Sequence, residues 1–216
     1  MANHDHEHDH DHEHDHEHAH DHEHPHEHAH DHEHEHAEDE EALEREARRL
    51  IALSRIRQYG DSVLRMKARE VETFDDDVER LVERMTQLMH EANGVGLAAT
   101  QVGVLRRLFV FTDDGEDRVI VNPVIMKTSK ETEIDEEGCL SLRDVLVPVE
   151  RAQKVTIEGV DPKGEAVRLE LESPAARVVQ HELDHLDGVL IIDRTDDDSR
   201  RAALARLRPQ PVLGAR

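Results

Sequence analysis

Apolar residues recur with the period of an α-helix in two stretches of the chain. In residues 76–92 they are spaced at i, i+3, i+4 and i+7, which predicts an amphipathic helix. In residues 175–186 apolar residues occupy almost every face of the predicted helix, which is typical of a buried helix. Ser173 is a suitable N-cap for this second helix, Pro174 suits its first position, and Gly188 suits its end.

Short β-rich runs fill the middle of the chain, and a last helix is predicted over 197–207. The predicted strands are residues 108–111, 118–121, 124–126, 145–149, 154–160 and 166–172. Asp113-Asp114-Gly115 predicts a hairpin turn, and so does Asp161-Pro162-Lys163-Gly164. The second hairpin leads the chain into the buried helix.

Composition separates residues 1–40 from the rest. They contain 17 of the 20 histidines, 16 acidic residues and no lysine or arginine, so we expect a disordered tail. Residues 38–55 predict a charged helix, of which 41–55 would link the tail to one domain over 56–208. Residues 209–216 are expected to fray.

Histidine alternates with acidic residues over positions 4–36. In an extended chain this pattern places imidazoles on one side and carboxylates on the other. Such a tract can bind zinc, nickel, cobalt or copper loosely. The alternatives are a solvated acidic tail and a purification tag. Tags usually have consecutive histidines, so we favour a natural segment that buffers metal.

The net charge, together with the lack of a membrane-span pattern and of a secretion-signal pattern, limits the class of protein. The tail contributes −16 of the net charge of −24, which leaves −8 for residues 41–216 and does not indicate a nucleic-acid-binding surface. There is no apolar run of about 18 residues for a membrane span, and the N-terminus lacks the pattern of a secretion signal. Cys139 is the only cysteine, which fits a reducing compartment. We therefore expect a cytoplasmic protein that binds neither membrane nor nucleic acid.

His181 and His185 are the strongest candidates for chemistry. They are four residues apart, so on a helix they lie about 40° apart on one face and can bind one metal ion. Glu182 beside them can act as a general base. Cys139 offers a third ligand, and a Cys/His/His set leaves one position open for water. The alternatives are two histidines hydrogen-bonded in an ordinary core and a cysteine that packs as a small apolar residue.

Residues 94–103 are rich in small side chains, which allow the backbone to approach another element or a ligand. Gln101 is the one strongly polar side chain among them. The segment has neither a G-x-G-x-x-G pattern nor a lysine-bearing phosphate loop, so nucleotide binding is not indicated.

Three stretches together resemble the motifs of the peptide deformylase family. They are GVGLAATQ at 94–101, EGCLS at 137–141 and QHELDHLDG at 180–188, in the order of the family. The likeness extends from about Ile56 to Asp193. It implies an α+β fold with antiparallel sheets packed around a central helix that carries HExxH. Here this fold would follow the disordered tail.

The resemblance also implies roles for individual residues. Cys139, His181 and His185 would be the metal ligands, with ferrous iron (Fe2+) as the native ion and Zn2+, Ni2+ or Co2+ as substitutes. Glu182 would be the general acid/base. The implied reaction removes the N-formyl group from the N-terminal formyl-methionine of newly made proteins. A metal-bound water would attack the formyl carbon, and formate would be released.

Further roles follow from the same resemblance. Gln101 and the backbone N–H of Leu140 would stabilise the oxyanion, and the backbone of Gly96 would pair with the substrate peptide. We expect a monomer that meets formyl-methionyl nascent peptides near the ribosome. After Ser141 the chain departs from the family's usual proline and arginine, so substrate contacts beyond the first residue stay open.

Two alternative functions remain at this stage. One is a metal-storage or metal-delivery protein in which the histidine-rich tail is the working part. The other is an HExxH metallopeptidase, which usually takes a third ligand downstream of the motif. No histidine follows His185, and Cys139 lies upstream, so the sequence disfavours the peptidase.

Overall fold

The computed structural model describes residues 30–208, with side chains described from residue 41. The predictions for residues 1–29 and 209–216 lie outside the described residues. The chain divides after Glu41 into two units, and the second, Ala42–Arg216, contains all the strands of the described residues. The disorder predicted for the whole of 1–40 is wrong for residues 30–40, because the first helix begins at His30.

Four α-helices occur in the described residues: α1 (His30–Ser54), α2 (Asp76–Glu91), α3 (Ala175–Leu186) and α4 (Asp197–Leu207). The predictions of α2 and α4 are confirmed. Short 3-10 helices cover Ser62–Arg65, Ala99–Val102 and Ile191–Asp193. In the part of the chain that the structure describes, none of these helices has the length and apolar character needed to cross a lipid bilayer.

The start of α3 differs from the prediction. Pro174 occupies the cap position, and the first helical residue is Ala175. Ser173 does not cap the helix, since its own N–H donates to the carbonyl of Gln153 at 2.9 Å and holds it beside that segment. The end of the helix is as predicted, with Gly188 in the left-handed region at φ 76°.

The strands form two antiparallel sheets. Their bounds are β1 (Gly96–Ala98), β2 (Leu108–Asp113), β3 (Glu116–Thr128), β4 (Thr132–Cys139), β5 (Leu142–Ala152), β6 (Lys154–Val160) and β7 (Ala166–Glu172). One sheet has the order β1-β2-β3-β6-β7, and the other pairs β4 with β5. Helices lie beside these sheets, so the α+β class with antiparallel sheets is confirmed.

Two strand predictions need correction. The runs at 118–121 and 124–126 belong to the single strand β3, which continues through an irregularity between Val121 and Val124. No strand was predicted at β4. Six of its eight residues are charged, polar or small and lie exposed or half-buried, so the segment shows no apolar alternation. Its pairing with β5 makes it a strand.

Helix α3 packs against both sheets and thereby positions the candidate site. Ala176, Val179 and Leu186 lie in one buried cluster with Phe109 and Phe111 of β2. On its other side the helix bonds to β5, where the amide of Gln180 both donates to and accepts from the backbone of Ala152. The polar groups of α3 are therefore held between the five-stranded sheet and the β4–β5 pair.

Gly188→Ala should destabilise the protein more than an ordinary left-handed glycine would. A Cβ at Gly188 would lie 2.7 Å from the carbonyl oxygen of Arg65, whereas a Cβ at Gly115 (φ 81°) would have nothing within 4 Å. The left-handed penalty alone is about 1–2 kcal/mol. We expect a loss of about 3 kcal/mol in the free energy of unfolding for Gly188→Ala, measured by denaturant titration. Gly115→Ala is the matched control, and equal losses in the two variants would contradict the close approach of Arg65.

Candidate active site

Helix α3 carries three polar side chains into the interior next to one another. His185 and Glu182 are buried, and His181 is only slightly exposed. The spacing of four residues brings the two histidines onto one face, as predicted, with their Nε2 atoms 3.2 Å apart. Such groups are costly to bury without partners.

Cys139 supplies a third donor from the other sheet. It ends β4 at a register shift, and its Sγ lies 3.2 Å from Nε2 of His185. The candidate ligand atoms of Cys139, His181 and His185 all lie within 4.8 Å of one another. Burial lowers the pKa of His185 well below its usual range, which favours the neutral imidazole that binds a metal. Burial would also lower the pKa of His181, but the hydrogen bonds to Cys139 and Glu137 outweigh it and raise that pKa well above the usual range, so metal binding would displace a proton from that ring. Two imidazoles and a thiol converging on one point fit a divalent metal ion, which would attract all three lone pairs.

Glu182 lies against the first strand of the larger sheet. A Cβ on Gly96 would come within 2.9 Å of Glu182 Cδ and of Val178 Cγ1, so only glycine leaves room for this carboxylate. Oε2 of Glu182 is buried and has no hydrogen-bond partner among the described residues. Burial, reinforced by the nearby Glu137 carboxylate, raises the pKa of Glu182 to about 7. A carboxyl group with that pKa can both accept and release a proton near neutral pH.

Gln101 is fixed with its amide nitrogen toward the same site. Its Oε1 accepts a hydrogen bond from the backbone N–H of Ala98 at 2.8 Å, so its NH2 group must point the other way. That nitrogen donates to Ser141 Oγ at 3.1 Å and lies 3.7 Å from Cys139 Sγ. The 3-10 helix Ala99–Val102 therefore presents a donor beside the candidate metal ligands.

The predicted site residues surround one cavity of about 730 Å³. Its walls include six of the seven: Gly96, Gln101, Cys139, Leu140, His181 and Glu182. The seventh, His185, lies behind the wall in contact with Cys139 and His181. Gly96 belongs to β1 at the edge of the five-stranded sheet, and an edge strand can accept an added peptide strand.

Buried ion pairs lie behind the candidate metal ligands and were not predicted from the sequence. Glu137 accepts hydrogen bonds from Arg151 at 2.9 and 3.0 Å, from Arg177 at 2.9 Å, and from Nδ1 of His181 at 3.1 Å. Burial alone would raise the pKa of Glu137, but the bonds from His181 and Arg151 outweigh it and lower that pKa to about 2. Arg151 also donates to Asp184 at 2.6 Å. The position of Glu137 in EGCLS was the available signal.

Glu137→Gln should weaken both the fold and metal binding. The amide can accept hydrogen bonds at only one of its ends. Arg151 therefore loses one bond in either orientation, together with the bond from His181 at one end or from Arg177 at the other. We expect a loss of about 3 kcal/mol in the free energy of unfolding, as for a broken buried ion pair. We also expect about 10–100-fold weaker metal affinity, because the orientation of His181 is no longer fixed.

The measurements are denaturant unfolding and competition for Co2+ with a chelator. Glu133→Gln is the control, since the Glu133 side chain is exposed on the same strand. Unchanged metal affinity in Glu137→Gln would contradict the positioning of His181 by Glu137.

A Cys/His/His donor set beside the glutamate of an HExxH helix can hold a catalytic metal ion with one position open for water. A model of the polypeptide deformylase family matches residues 53–201. The chain is 47% identical over 146 residues to a peptide deformylase of Thermotoga sp. (strain RQ2). The aligned residues cover 68% of this chain and 89% of that protein. The chain is 48% identical over 145 residues to one of Clostridium botulinum, covering 67% of this chain and 98% of that one.

Solved structures agree with the sequence comparisons. The crystal structure of peptide deformylase from Thermotoga maritima has a TM-score of 0.65 at 46% identity and covers 66% of this chain and 97% of that one. A peptide deformylase from Legionella pneumophila has a TM-score of 0.67 at 39% identity, covering 70% and 91%. The chain belongs to the polypeptide deformylase family.

Proposed function

We propose that the cavity removes the N-formyl group from the N-terminal formyl-methionine of newly made proteins, releasing formate and a free amino terminus. The observation that carries this proposal is the convergence of Cys139, His181 and His185 beside the buried Glu182, in a chain of the deformylase family. A cavity of about 730 Å³ opens onto that group and has room for a peptide end.

Cys139, His181 and His185 would hold the metal ion. When bound, a divalent ion lowers the pKa of a water molecule from about 15.7 toward about 7 and polarises a carbonyl group. We propose Fe2+ as the native ion, as the resemblance to the family implies. Zn2+, Ni2+ or Co2+ would be substitutes, since imidazole ligands do not distinguish strongly among these ions. The convergence of the three candidate ligand atoms within 4.8 Å of one another supports this ligand set.

Glu182 would accept and donate the proton that is transferred in the reaction. It lies beside His181 with one carboxylate oxygen unpaired among the described residues, so it can take a proton from the attacking water. It would then pass this proton to the amine that leaves when the C–N bond breaks. Burial among Gly96 and Val178 keeps the carboxylate at one fixed position.

Donors around the cavity would hold the substrate and stabilise the developing charge. The Gln101 amide nitrogen and the backbone N–H of Leu140 would donate to the oxyanion, each contributing on the order of 3 kcal/mol. The backbone of Gly96, at the open edge of β1, would pair with the substrate peptide. The apolar Val95, Leu146 and Val178 in the cavity wall suit a methionine side chain.

The setting of the reaction belongs to the same proposal. Formyl-methionyl chains are produced by ribosomes, so we place the protein in the cytoplasm, acting as a monomer on chains near the ribosome. The comparisons give no support to metal storage as its activity. Loose metal binding by the histidine-rich tail stays a prediction, as does the linker role of residues 41–55.

The first experiment follows amine release from a formyl-methionyl peptide by protein purified anaerobically with ferrous iron. An acetyl-methionyl peptide is the control, because only the added methyl group separates the two substrates. We expect rapid turnover of the formyl peptide and little of the acetyl peptide. Metal-loaded protein that turns over neither would contradict the proposed function.

Glu182→Gln should remove turnover without removing metal. The amide cannot take the proton of the attacking water, so we expect kcat/KM to fall by about 10²–10⁴-fold. Cys139→Ser is the contrasting variant, in which we expect metal content itself to fall because a ligand is lost. The measurements are steady-state kinetics and metal analysis of both proteins. Full activity in Glu182→Gln would exclude the assigned role.

A further inference from the structure

The C-terminal part of α1 forms one wall of the cavity. Glu46, Arg49, Leu50 and Leu53 line it together with the proposed catalytic residues. Their spacing of i, i+3, i+4 and i+7 places them on one face of the helix. Glu46, Arg49 and Leu50 precede the region matched by the family, which begins at residue 53.

This wall is anchored to the rest of the site. Leu53 is 4% exposed and packs in the core cluster against which Leu140 also lies. Directly after the helix, the N–H of Arg57 donates to the carbonyl of Gln101 at 2.7 Å, and Gln58 Nε2 donates to the carbonyl of Leu140 at 3.0 Å. The end of α1 is thus fixed to the two residues proposed as oxyanion donors.

The face that α1 presents to the cavity is apolar at Leu50. The charges of Glu46 and Arg49 are paired with each other, with Arg49 Nη1 donating to Glu46 Oε1 at 3.1 Å. Leu50 is 51% exposed although it is a large apolar side chain. Val95 and Leu146, which line the same cavity, are also more than half exposed. Such uncovered apolar side chains around one cavity suit an apolar ligand surface.

A peptide held at Gly96 would extend toward this wall. Asn93, Gly94, Val95 and Gly96 all line the cavity and form a continuous path from Glu182 back to the end of α2. Ala92, the last residue before that path, lies in the same core cluster as Leu53 of α1. A cavity of about 730 Å³ falls in the range that accommodates drug-sized ligands, which is larger than a single formylated residue.

We propose that Leu50 binds the side chains that follow formyl-methionine and gives the enzyme a preference for apolar residues there. This inference rests on the proposed function and deepens it, because it names a specificity-determining residue outside the matched region. When an apolar side chain of the peptide packs against Leu50, apolar surface of both side chains is removed from water, which stabilises the bound peptide.

The test compares Leu50→Ala with Ile51→Ala in the full chain. Ile51 is the matched control, since it is adjacent in α1, similarly exposed at 55%, and absent from the cavity wall. For each protein, kcat/KM is measured on formyl-methionine amide, formyl-Met-Leu-Leu and formyl-Met-Ser-Ser. Equal unfolding midpoints of the two variants exclude a difference in folding.

We expect Leu50→Ala to lower the ratio of kcat/KM for the leucyl peptide to that for the amide about fivefold. Ile51→Ala should leave this ratio as in the wild type, and the ratio for the seryl peptide should change in neither variant. An unchanged leucyl ratio in Leu50→Ala, or an equal fall for the seryl peptide, would overturn the proposal. Wild-type turnover of the amide would still support the proposed function in that case, whereas no wild-type turnover of any substrate would overturn both.

Discussion

The site depends on the buried hydrogen bonds and ion pairs made by the carboxylate of Glu137. It lies buried on β4 and binds Arg151 of β5 as well as Arg177 and His181 of α3. A buried charge is tolerated only when opposite charges and hydrogen bonds surround it. The same group that satisfies the two arginines therefore fixes the sheet, the helix and one candidate metal ligand relative to one another.

Close backbone approach is the second requirement of the site. Gly96 lets β1 lie against Glu182, and the turn at Leu140 and Ser141 follows Cys139 at once. These close approaches place a strand edge, a carboxylate and the candidate ligand atoms around one cavity. The proposed catalytic groups and the open edge of β1 are thus parts of the same packing arrangement.

Helix α1 adds a wall to the cavity, most of which precedes residue 53, where the family match begins. Ala52 and Leu53 near its end are buried in the core, whereas Leu50 and Ile51 are exposed. Hydrogen bonds from Arg57 and Gln58, just after the helix, connect it to the 3-10 helix that carries Gln101 and to the turn at Leu140. A segment that the family pattern does not include can in this way reach the substrate side of the cavity.

Local sequence determined the elements whose signals are local. The amphipathic period predicted α2, and the turn residues around Asp161 and Gly164 predicted the hairpin of β6 and β7. Helical spacing alone placed His181 and His185 on one face, because geometry within a helix needs no distant partner. The resemblance to the family motifs predicted that Cys139, Gln101, Leu140 and Gly96 belong to one site.

Only the tertiary structure decided the features that depend on distant partners. β4 lacks an apolar alternation and is a strand because β5 pairs with it. Ser173 fails to cap α3 because Gln153 holds its backbone elsewhere. The partners of Glu137 lie 14 to 44 residues away along the chain, and the wall formed by α1 depends on packing against the core. Long-range contacts of this kind leave no periodic trace in the sequence, since each is set by the fold as a whole.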